Sequence, residues 1–208
     1  MAVPIIHARD PRGEASAPAT ETSAAAIESH LKDAAHFPGG HAHAIAKPRS
    51  EAEVAHLLVG SDRVLAIGAQ SSVTGGATPD GGLILSTERL NTIAVSGTNQ
   101  VRAGAGVALA VLQAELARHA LWFPPVPTFT GAFVGGVAST NAAGAATFKY
   151  GTTRDWVQAL TVVLPDGVVL DLERGDVRAH PDGYFEIDTG SDRKSTRLNS
   201  SHVSESRM

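Results

Sequence analysis

A loop of small and polar residues, Gly68 to Gly76, offers the clearest chemistry in the sequence. It reads Gly-Ala-Gln-Ser-Ser-Val-Thr-Gly-Gly and directly follows an apolar segment that is predicted to be a strand. Small residues let successive backbone N–H groups converge, and such nests bind anions, with serine and threonine hydroxyls as further donors. The loop contains no lysine or arginine, so backbone dipoles would do most of the neutralising of a bound phosphate. Taken alone, the segment is equally typical of an ordinary glycine- and serine-rich turn.

A second glycine-rich region follows a stretch that contains Pro124, Pro125 and Pro127. The prolines fix an extended backbone, and the small residues from Gly131 to Gly144 permit close approach to a flat or charged ligand. Taken alone, this region is also typical of tight helix packing. Neither region carries the Gly-Lys-Ser/Thr of a Walker A motif, and the segment Gly104 to Gly106 lacks the third glycine of a dinucleotide-binding fingerprint.

The pattern of apolar residues predicts short strands that alternate with helices from residue 44 onward. The predicted elements are a helix over 22–35, a strand over 44–46, a helix capped by Ser50 and Glu53, strands over 63–67 and 83–85, a hairpin over 93–95 and 100–103, a helix over 107–119, a short helix within 131–150, and a hairpin over 159–164 and 168–172. Residues 1–20 lack periodicity and are expected to fray. The mixture of crossovers and hairpins predicts an α+β fold with a mixed sheet.

Composition excludes several classes of function. The chain has 208 residues, a formal net charge of −4 and no cysteine. Without a basic stripe it is not expected to bind nucleic acid, and without cysteine it has no disulfide, thiolate metal site or cysteine nucleophile. We expect neither a signal peptide nor a membrane span, and a cytoplasmic location, because no apolar run reaches 18 residues. His36, His41 and His43 are close in sequence, but a tetrahedral site needs further ligands, so no metal is expected.

Two glycine-rich regions in one domain, each bracketed by strands, are more specific than either alone. They resemble the FAD-binding domain of the vanillyl-alcohol-oxidase type, also called PCMH type, and within it the glycolate oxidase subunit and D-lactate dehydrogenase group. The matching landmarks follow in order over residues 44–188: Lys47-Pro48, Gly68 to Gly76, Ala103 to Gly106, Gly135 to Gly144, Tyr150-Gly151 and Leu164 to Gly167. The resemblance implies a two-lobed α+β domain with mixed and antiparallel sheets flanked by helices.

This resemblance divides the chain into an N-terminal extension with a short helix, residues 1–43, and an FAD-binding domain, residues 44–191, that is incomplete at its C-terminal end. It also implies which residues contact FAD. The pyrophosphate loop corresponds to Gly68, Ala69, Gln70, Ser71, Ser72, Val73, Thr74 and Gly75, and the second contact stretch to Pro127, Thr128, Gly131, Gly135, Gly136, Ser139, Asn141 and Gly144. Tyr150 and Gly151 match a turn that closes on the cofactor, and Val163 lies where the family offers backbone to the adenine.

The sequence departs from the family in two places. Some relatives tether FAD covalently through a histidine of the pyrophosphate loop, whereas Gln70 or Ser71 stands there and neither can form that bond. We therefore expect non-covalent FAD. The resemblance implies a C-terminal substrate domain, which we expect to be missing after residue 191, and the catalytic base is expected in that domain, so no catalytic residue is assigned.

For the intact protein, the resemblance implies oxidation of a small 2-hydroxy acid, of the glycolate or D-lactate type, by hydride transfer to FAD and onward transfer of electrons to an acceptor. Two other functions stay open. The chain is also compatible with a non-catalytic FAD- or nucleotide-binding module, and with a cell-wall-precursor reductase of the same fold.

The last 17 residues, 192–208, differ in composition from the rest of the chain. They are rich in serine and arginine, lack periodicity, and resemble the translated sequencing-adapter tails of assembled nucleotide data. We expect a non-native tail that interrupts the native sequence near Gly190 or Ser191. A disordered native tail is the alternative.

Overall fold

The computed structural model describes residues 5–188 and, for the backbone alone, residues 193–197. The predictions that concern residues 1–4, 189–192 and 198–208 lie outside the described residues. The strands are β1 (Ile5–Arg9), β2 (Thr20–Glu21), β3 (Ala44–Ala46), β4 (Val64–Ile67), β5 (Leu83–Ser86), β6 (Ile93–Ser96), β7 (Gln100–Ala103), β8 (Ala159–Val163), β9 (Val169–Glu173), β10 (Tyr184–Asp188) and β11 (Arg193–Arg197). The α-helices are α1 (Ala24–Glu28), α2 (Glu51–Val59), α3 (Leu109–Ala117), α4 (Val134–Ser139), α5 (Thr147–Tyr150) and α6 (Thr153–Trp156).

A four-stranded sheet with the order β2-β3-β5-β4 forms the first lobe. The strands β3, β5 and β4 are parallel, and β2 runs antiparallel at the edge. Both faces are covered, as parallel sheets require. Ile45, Ile67 and Ile84 pack with Ile27 of α1 on one face, and Ala46, Leu83 and Leu85 pack with Leu57 of α2 on the other. The carboxyl ends of the three parallel strands consequently meet at one edge of the sheet.

A five-stranded sheet with the order β11-β10-β1-β9-β8 forms the second lobe, around Ile6, Leu170 and Ile187. β1 lies between β10, to which it is parallel, and β9, to which it is antiparallel. The expectation that residues 1–20 fray is therefore wrong for Ile5–Arg9, because these residues pair on both sides. The hairpin predicted over 159–172 is confirmed as β8 and β9, with Gly167 in a left-handed turn at φ +80°.

The hairpin of β6 and β7 packs with α3 and α4 around a separate core of Val107, Leu109, Leu112, Leu116 and Val137. α3 is two residues shorter at each end than the predicted helix over 107–119. The reason at its start is that the Leu109 N–H donates to the Ala132 carbonyl, so the chain enters the helix from an extended segment. In this cluster, Val137 of the second glycine-rich region packs with the buried leucines of α3.

One prediction about local structure needs correction. The helix over 22–35 ends at Glu28, because the N–H groups of Ala34 and Ala35 donate to a distant loop and His36 has a φ of +53°. Residues 193–197, within the tail that is expected to be non-native, form β11, whose backbone pairs antiparallel with β10. The mixed α+β class is confirmed.

Candidate functional site

The Gly68–Gly76 loop begins where the parallel strand β4 ends. Ligands of open α/β sheets bind outside the carboxyl ends of their strands, so this is the edge at which a site is expected. The backbone N–H groups of residues 69–73 have no acceptor among the described residues, while the Thr74 N–H donates to Ser72 Oγ at 3.3 Å. Five successive donors are therefore free to bind an anion.

Gln70 is the residue that gives the loop its shape. It adopts a left-handed φ of +48°, and its carboxamide Nε2 donates to the carbonyl oxygens of His30 and Ala77, each at 2.9 Å. Its side chain thus joins the residue just after the loop to the segment that follows α1. The backbone N–H of Gln70 remains free for a ligand, whereas its carbonyl accepts from the Ala34 N–H at 2.9 Å.

The two glycine-rich regions come together at Gly68. A Cβ built on Gly68 would lie 3.4 Å from Cβ of Phe133, the residue just before α4. A second link runs through Thr87, whose Oγ1 donates to the Ile67 carbonyl at 3.1 Å and whose own carbonyl packs on Gly106. The structure thus brings the start of the first glycine-rich region close to the second.

Within the second region, most of the small residues serve packing. Gly135 donates its N–H to the Ala105 carbonyl at 2.9 Å, and a Cβ there would lie 2.7 Å from Ala105 Cβ. A Cβ on Gly144 would lie 2.1 Å from the Val126 carbonyl oxygen. Gly136 is different, because a Cβ built on it meets nothing within 4 Å. Packing explains Gly135 and Gly144, but not Gly136.

Two polar side chains of this region form hydrogen bonds with backbone groups of the protein. Ser139 Oγ donates to the Gly135 carbonyl at 2.7 Å, and Asn141 Oδ1 accepts from the Arg154 N–H at 2.8 Å. Both can still accept a further hydrogen bond. Upstream, Pro127 is half-buried, Thr128 is exposed, and Gly131 lies against the ring of Phe129.

Tyr150 and Gly151 form a tight turn between α5 and α6. The Tyr150 ring meets Trp122 edge-on at a centroid distance of 5.1 Å, and the Tyr150 carbonyl accepts from Trp156 Nε1 at 2.9 Å. Gly151 has a φ of +78°, and the Asp155 carboxylate next to it accepts from the Thr152 N–H at 2.7 Å. The predicted turn is present, and the aromatic contacts fix its position.

Val163 ends β8, which is an edge strand of the described sheet. The Leu164 N–H donates to the Val168 carbonyl, so these two residues form a hydrogen-bonded pair of the antiparallel ladder. Because such pairs alternate, the N–H and C=O of Val163 point away from β9 and toward the free edge. The Val163 backbone therefore faces the edge of the sheet that has no neighbouring strand among the described residues.

An ion pair joins two of the strand ends at this edge. Lys47 Nζ, just after β3, lies 2.9 Å from Glu88 Oε1, just after β5, and both side chains are about one-third exposed. The hydrogen bond from Lys47 lowers the pKa of the Glu88 carboxyl below its ordinary value. The ion pair therefore stabilises the folded protein at pH values above the ordinary pKa of a glutamate carboxyl. This stabilisation is lost as the pH falls through the lowered pKa of Glu88.

We expect Glu88→Gln to reduce the free energy of unfolding at pH 7 by about 0.5 kcal/mol, the usual size for a partly exposed pair. Urea unfolding measured from pH 7 down to about pH 3 should show this difference shrinking toward zero as Glu88 of the wild type is protonated. Glu173→Gln is the control, because that side chain is exposed and forms no contact among the described residues. A Glu88→Gln difference that persists unchanged at low pH would contradict the assignment.

Two residues that were not predicted as site residues contact the Gly68–Gly76 loop or the residue just after it. Asp33 is buried, and its carboxylate accepts from the N–H groups of Ala35 at 3.0 Å and Ala77 at 3.4 Å. Phe37 covers Gly75. Nothing in the sequence pattern marked them, because the apolar spacing of Ile27 and Leu31 indicated a continuous helix there. Within the described residues, no group of three or more histidine, aspartate or glutamate side chains could hold a metal ion.

The chain is similar to known proteins over most of this region. The sequence model of a protein family described as FAD binding domain matches residues 42–173. D-lactate dehydrogenase of Archaeoglobus fulgidus is 38% identical over 134 residues, which cover 62% of this chain and 30% of that protein. The glycolate oxidase subunit of Bacillus subtilis is 30% identical over 135 residues, which cover 61% of this chain and 29% of that protein.

Solved structures show the same fold. 6-Hydroxy-D-nicotine oxidase from Arthrobacter nicotinovorans superimposes with a TM-score of 0.66 and 23% sequence identity, over 76% of this chain and 36% of that one. The chain thus spans about 30% of the length of the curated relatives named above. Within residues 5–188, no helix is long and apolar enough to cross a membrane.

Proposed function

The chain belongs to the FAD-binding-domain family, as the match over residues 42–173 shows, and on that premise we propose that its Gly68–Gly76 loop binds the pyrophosphate of FAD. The predicted resemblance to PCMH-type domains of the D-lactate dehydrogenase and glycolate oxidase group is confirmed. The observation that carries the proposal is the row of five backbone N–H groups, residues 69–73, that have no acceptor in the described part of the chain.

The residues present fit this cofactor. A pyrophosphate carries two negative charges, and a row of converging N–H groups can neutralise them without a basic side chain. Gly136, where an added Cβ would meet nothing within 4 Å, leaves space for a ligand at the start of the second glycine-rich region. The outward-facing backbone of Val163 offers a donor and an acceptor of the kind that an adenine edge needs.

We assign the contacts to FAD as follows. The loop residues Gly68 to Gly75 hold the pyrophosphate, and the flanking surface is formed by Pro127, Thr128, Gly131, Gly135, Gly136, Ser139, Asn141 and Gly144. Tyr150 and Gly151 close the site from the side of α5, and Val163 contributes backbone. Gly135, Gly144 and the Gln70 side chain act indirectly, because their own contacts are within the protein.

For the intact protein we infer an FAD-dependent oxidoreductase that acts on a small 2-hydroxy acid. The relatives named D-lactate dehydrogenase and glycolate oxidase subunit support this substrate class. Bound FAD would supply the redox chemistry, by accepting the hydride of the substrate. The described residues contribute cofactor binding and orientation. The base that removes the substrate proton is assigned to sequence beyond the FAD-binding region.

A titration tests the binding proposal directly. FAD should bind with quenching of its fluorescence, and ADP should compete whereas adenosine should not, because the loop recognises the pyrophosphate. Failure of FAD to bind, both to this chain and to a chain extended to the length of the relatives, would overturn the proposal. The extended protein should reduce a dye with D-lactate or glycolate, and a lack of turnover with every small 2-hydroxy acid would overturn the substrate class alone.

We predict that the cofactor is held reversibly. No residue of residues 68–76 is a histidine, so the loop offers no imidazole for a covalent flavin bond. Acid precipitation of FAD-loaded protein should leave a colourless pellet and release all of the flavin into the supernatant. A yellow pellet would contradict the prediction.

A further inference from the structure

The segment His30–Phe37, which we call the clamp segment, lies behind the Gly68–Gly76 loop and precedes the residues that the family match covers. It contacts the loop along its length. The N–H groups of Ala34 and Ala35 donate to the carbonyl oxygens of Gln70 and Ser72, at 2.9 and 3.2 Å. At the far end, Phe37 lies on Gly75, where an added Cβ would be 3.0 Å from the ring. The clamp segment therefore fastens the loop on the side that faces it.

These contacts determine where two of the free donors point. In a trans peptide the C=O of one residue and the N–H of the next point in opposite directions. Because the Gln70 carbonyl points at the clamp segment, the Ser71 N–H points away from it. The same holds for the Ser72 carbonyl and the Val73 N–H. The clamp segment thus turns both N–H groups toward the open side of the loop, where the pyrophosphate is assigned.

Asp33 holds the clamp segment to the loop. Its side chain is 3% exposed, and its two carboxylate oxygens accept from the N–H groups of Ala35, within the segment, and Ala77, just after the loop. No basic side chain pairs with it among the described residues. A buried carboxylate is costly unless it is hydrogen-bonded, and a negative charge beside an anion site opposes binding of the anion. Asp33 can therefore support such a site through its hydrogen bonds, and not through its charge.

We propose that the clamp segment orients the Ser71 and Val73 N–H groups toward the pyrophosphate of FAD, and that Asp33 is the positioning residue that keeps the segment against the loop. This inference rests on the proposed function, since it assumes that the loop binds FAD.

The substitution Asp33→Asn separates position from charge. It removes a negative charge, which by itself would tighten binding of the pyrophosphate. It also replaces one acceptor oxygen by a donor NH₂ group, so that one of the two N–H groups, of Ala35 or of Ala77, loses its acceptor. We expect the Kd for FAD to rise by roughly fivefold or more, as the loss of a buried hydrogen bond implies. The matched control is Glu28→Gln, which makes the same change of charge on an exposed side chain and should leave the Kd unchanged.

Two further measurements keep the test decisive if Asp33→Asn does not fold. Phe37→Ala truncates a ring that is 57% exposed, so it should fold and still weaken FAD binding. In ¹⁵N-labelled wild type, addition of inorganic pyrophosphate or FAD should shift the amide resonances of Ser71 and Val73, which a merely structural role of the segment does not require.

The outcomes distinguish this inference from the proposed function. If wild type binds no FAD, the proposed function fails and the inference falls with it. If wild type binds FAD but Asp33→Asn and Phe37→Ala bind it equally well, the inference alone is overturned. It is also overturned if FAD binds while the amides of Ser71 and Val73 do not respond.

Discussion

Gly106→Ala is expected to lower the free energy of unfolding by about 3 kcal/mol or more, at the upper end of the cost of overpacking. A Cβ at this position would lie 1.9 Å from the Thr87 carbonyl oxygen and 2.7 Å from its carbon. Both atoms belong to backbone, so relief requires the chain itself to move. The Gly106 N–H also donates to the Leu90 carbonyl at 2.9 Å, which fixes the two segments against each other.

The effect should extend to the site. Thr87 is hydrogen-bonded to Ile67, just before the Gly68–Gly76 loop, and the Ala105 carbonyl next to Gly106 accepts from Gly135. A shift at Gly106 would therefore separate the two halves of the site as well as weaken the fold.

Thermal unfolding followed by circular dichroism checks this prediction. A loss of 3 kcal/mol corresponds to a fall of about 6–12 °C in Tm for a protein of this size. Gly13→Ala is the control, because a Cβ there meets nothing within 4 Å. A Gly106→Ala protein that is as stable as this control would show that the close packing of Gly106 on Thr87 is not present in solution.

Gly136→Ala is expected to move stability and cofactor binding in opposite directions. The residue lies in α4, has room for a methyl group, and makes no contact that only glycine allows. In the unbound protein alanine should therefore raise the free energy of unfolding by about 0.5–1 kcal/mol, the difference in helix propensity. In the complex the same methyl group would occupy the space that the cofactor needs, so the Kd for FAD should rise by about tenfold, or about 1.4 kcal/mol.

The measurement is a pair of experiments on the same variant, urea unfolding without FAD and an FAD titration. Gly13→Ala again serves as the matched control, with a small gain in stability and no change in Kd. If Gly136→Ala binds FAD as well as wild type, Gly136 does not contact the cofactor and its assignment must be withdrawn.

An element of this fold could be predicted from the sequence where neighbouring residues determine it. It could not be predicted where its partners lie far away in the sequence. The Pro165-Asp166-Gly167 turn specifies its own hairpin, since the glycine takes a left-handed φ and its N–H donates to the Leu164 carbonyl at 2.8 Å. β1 could not be predicted in this way. Its partners are more than 150 residues away, and a strand of five residues in a stretch rich in proline and alanine carries no local signal.

The candidate site shows the same contrast. Its glycines were visible in the sequence because left-handed and crowded positions demand them, as at Gly75 with φ +79° and at Gly144 against Val126. The clamp segment was not visible, because its contribution comes from backbone N–H groups, which every residue except proline possesses. Only the three-dimensional arrangement shows that Ala34 and Ala35 face the loop.

The central place of β1 has a consequence for how the chain folds during synthesis. Arg9 of β1 binds Asp171 of β9 across 162 residues. At about 5–20 residues per second, a ribosome needs on the order of 8–30 seconds to make that stretch. The strands of the four-stranded sheet lie closer together in sequence, and contacts between near residues form faster. We therefore expect the four-stranded sheet, which carries the Gly68–Gly76 loop, to form first. The apolar residues of β1 should stay unpaired until β9 and β10 have been synthesised.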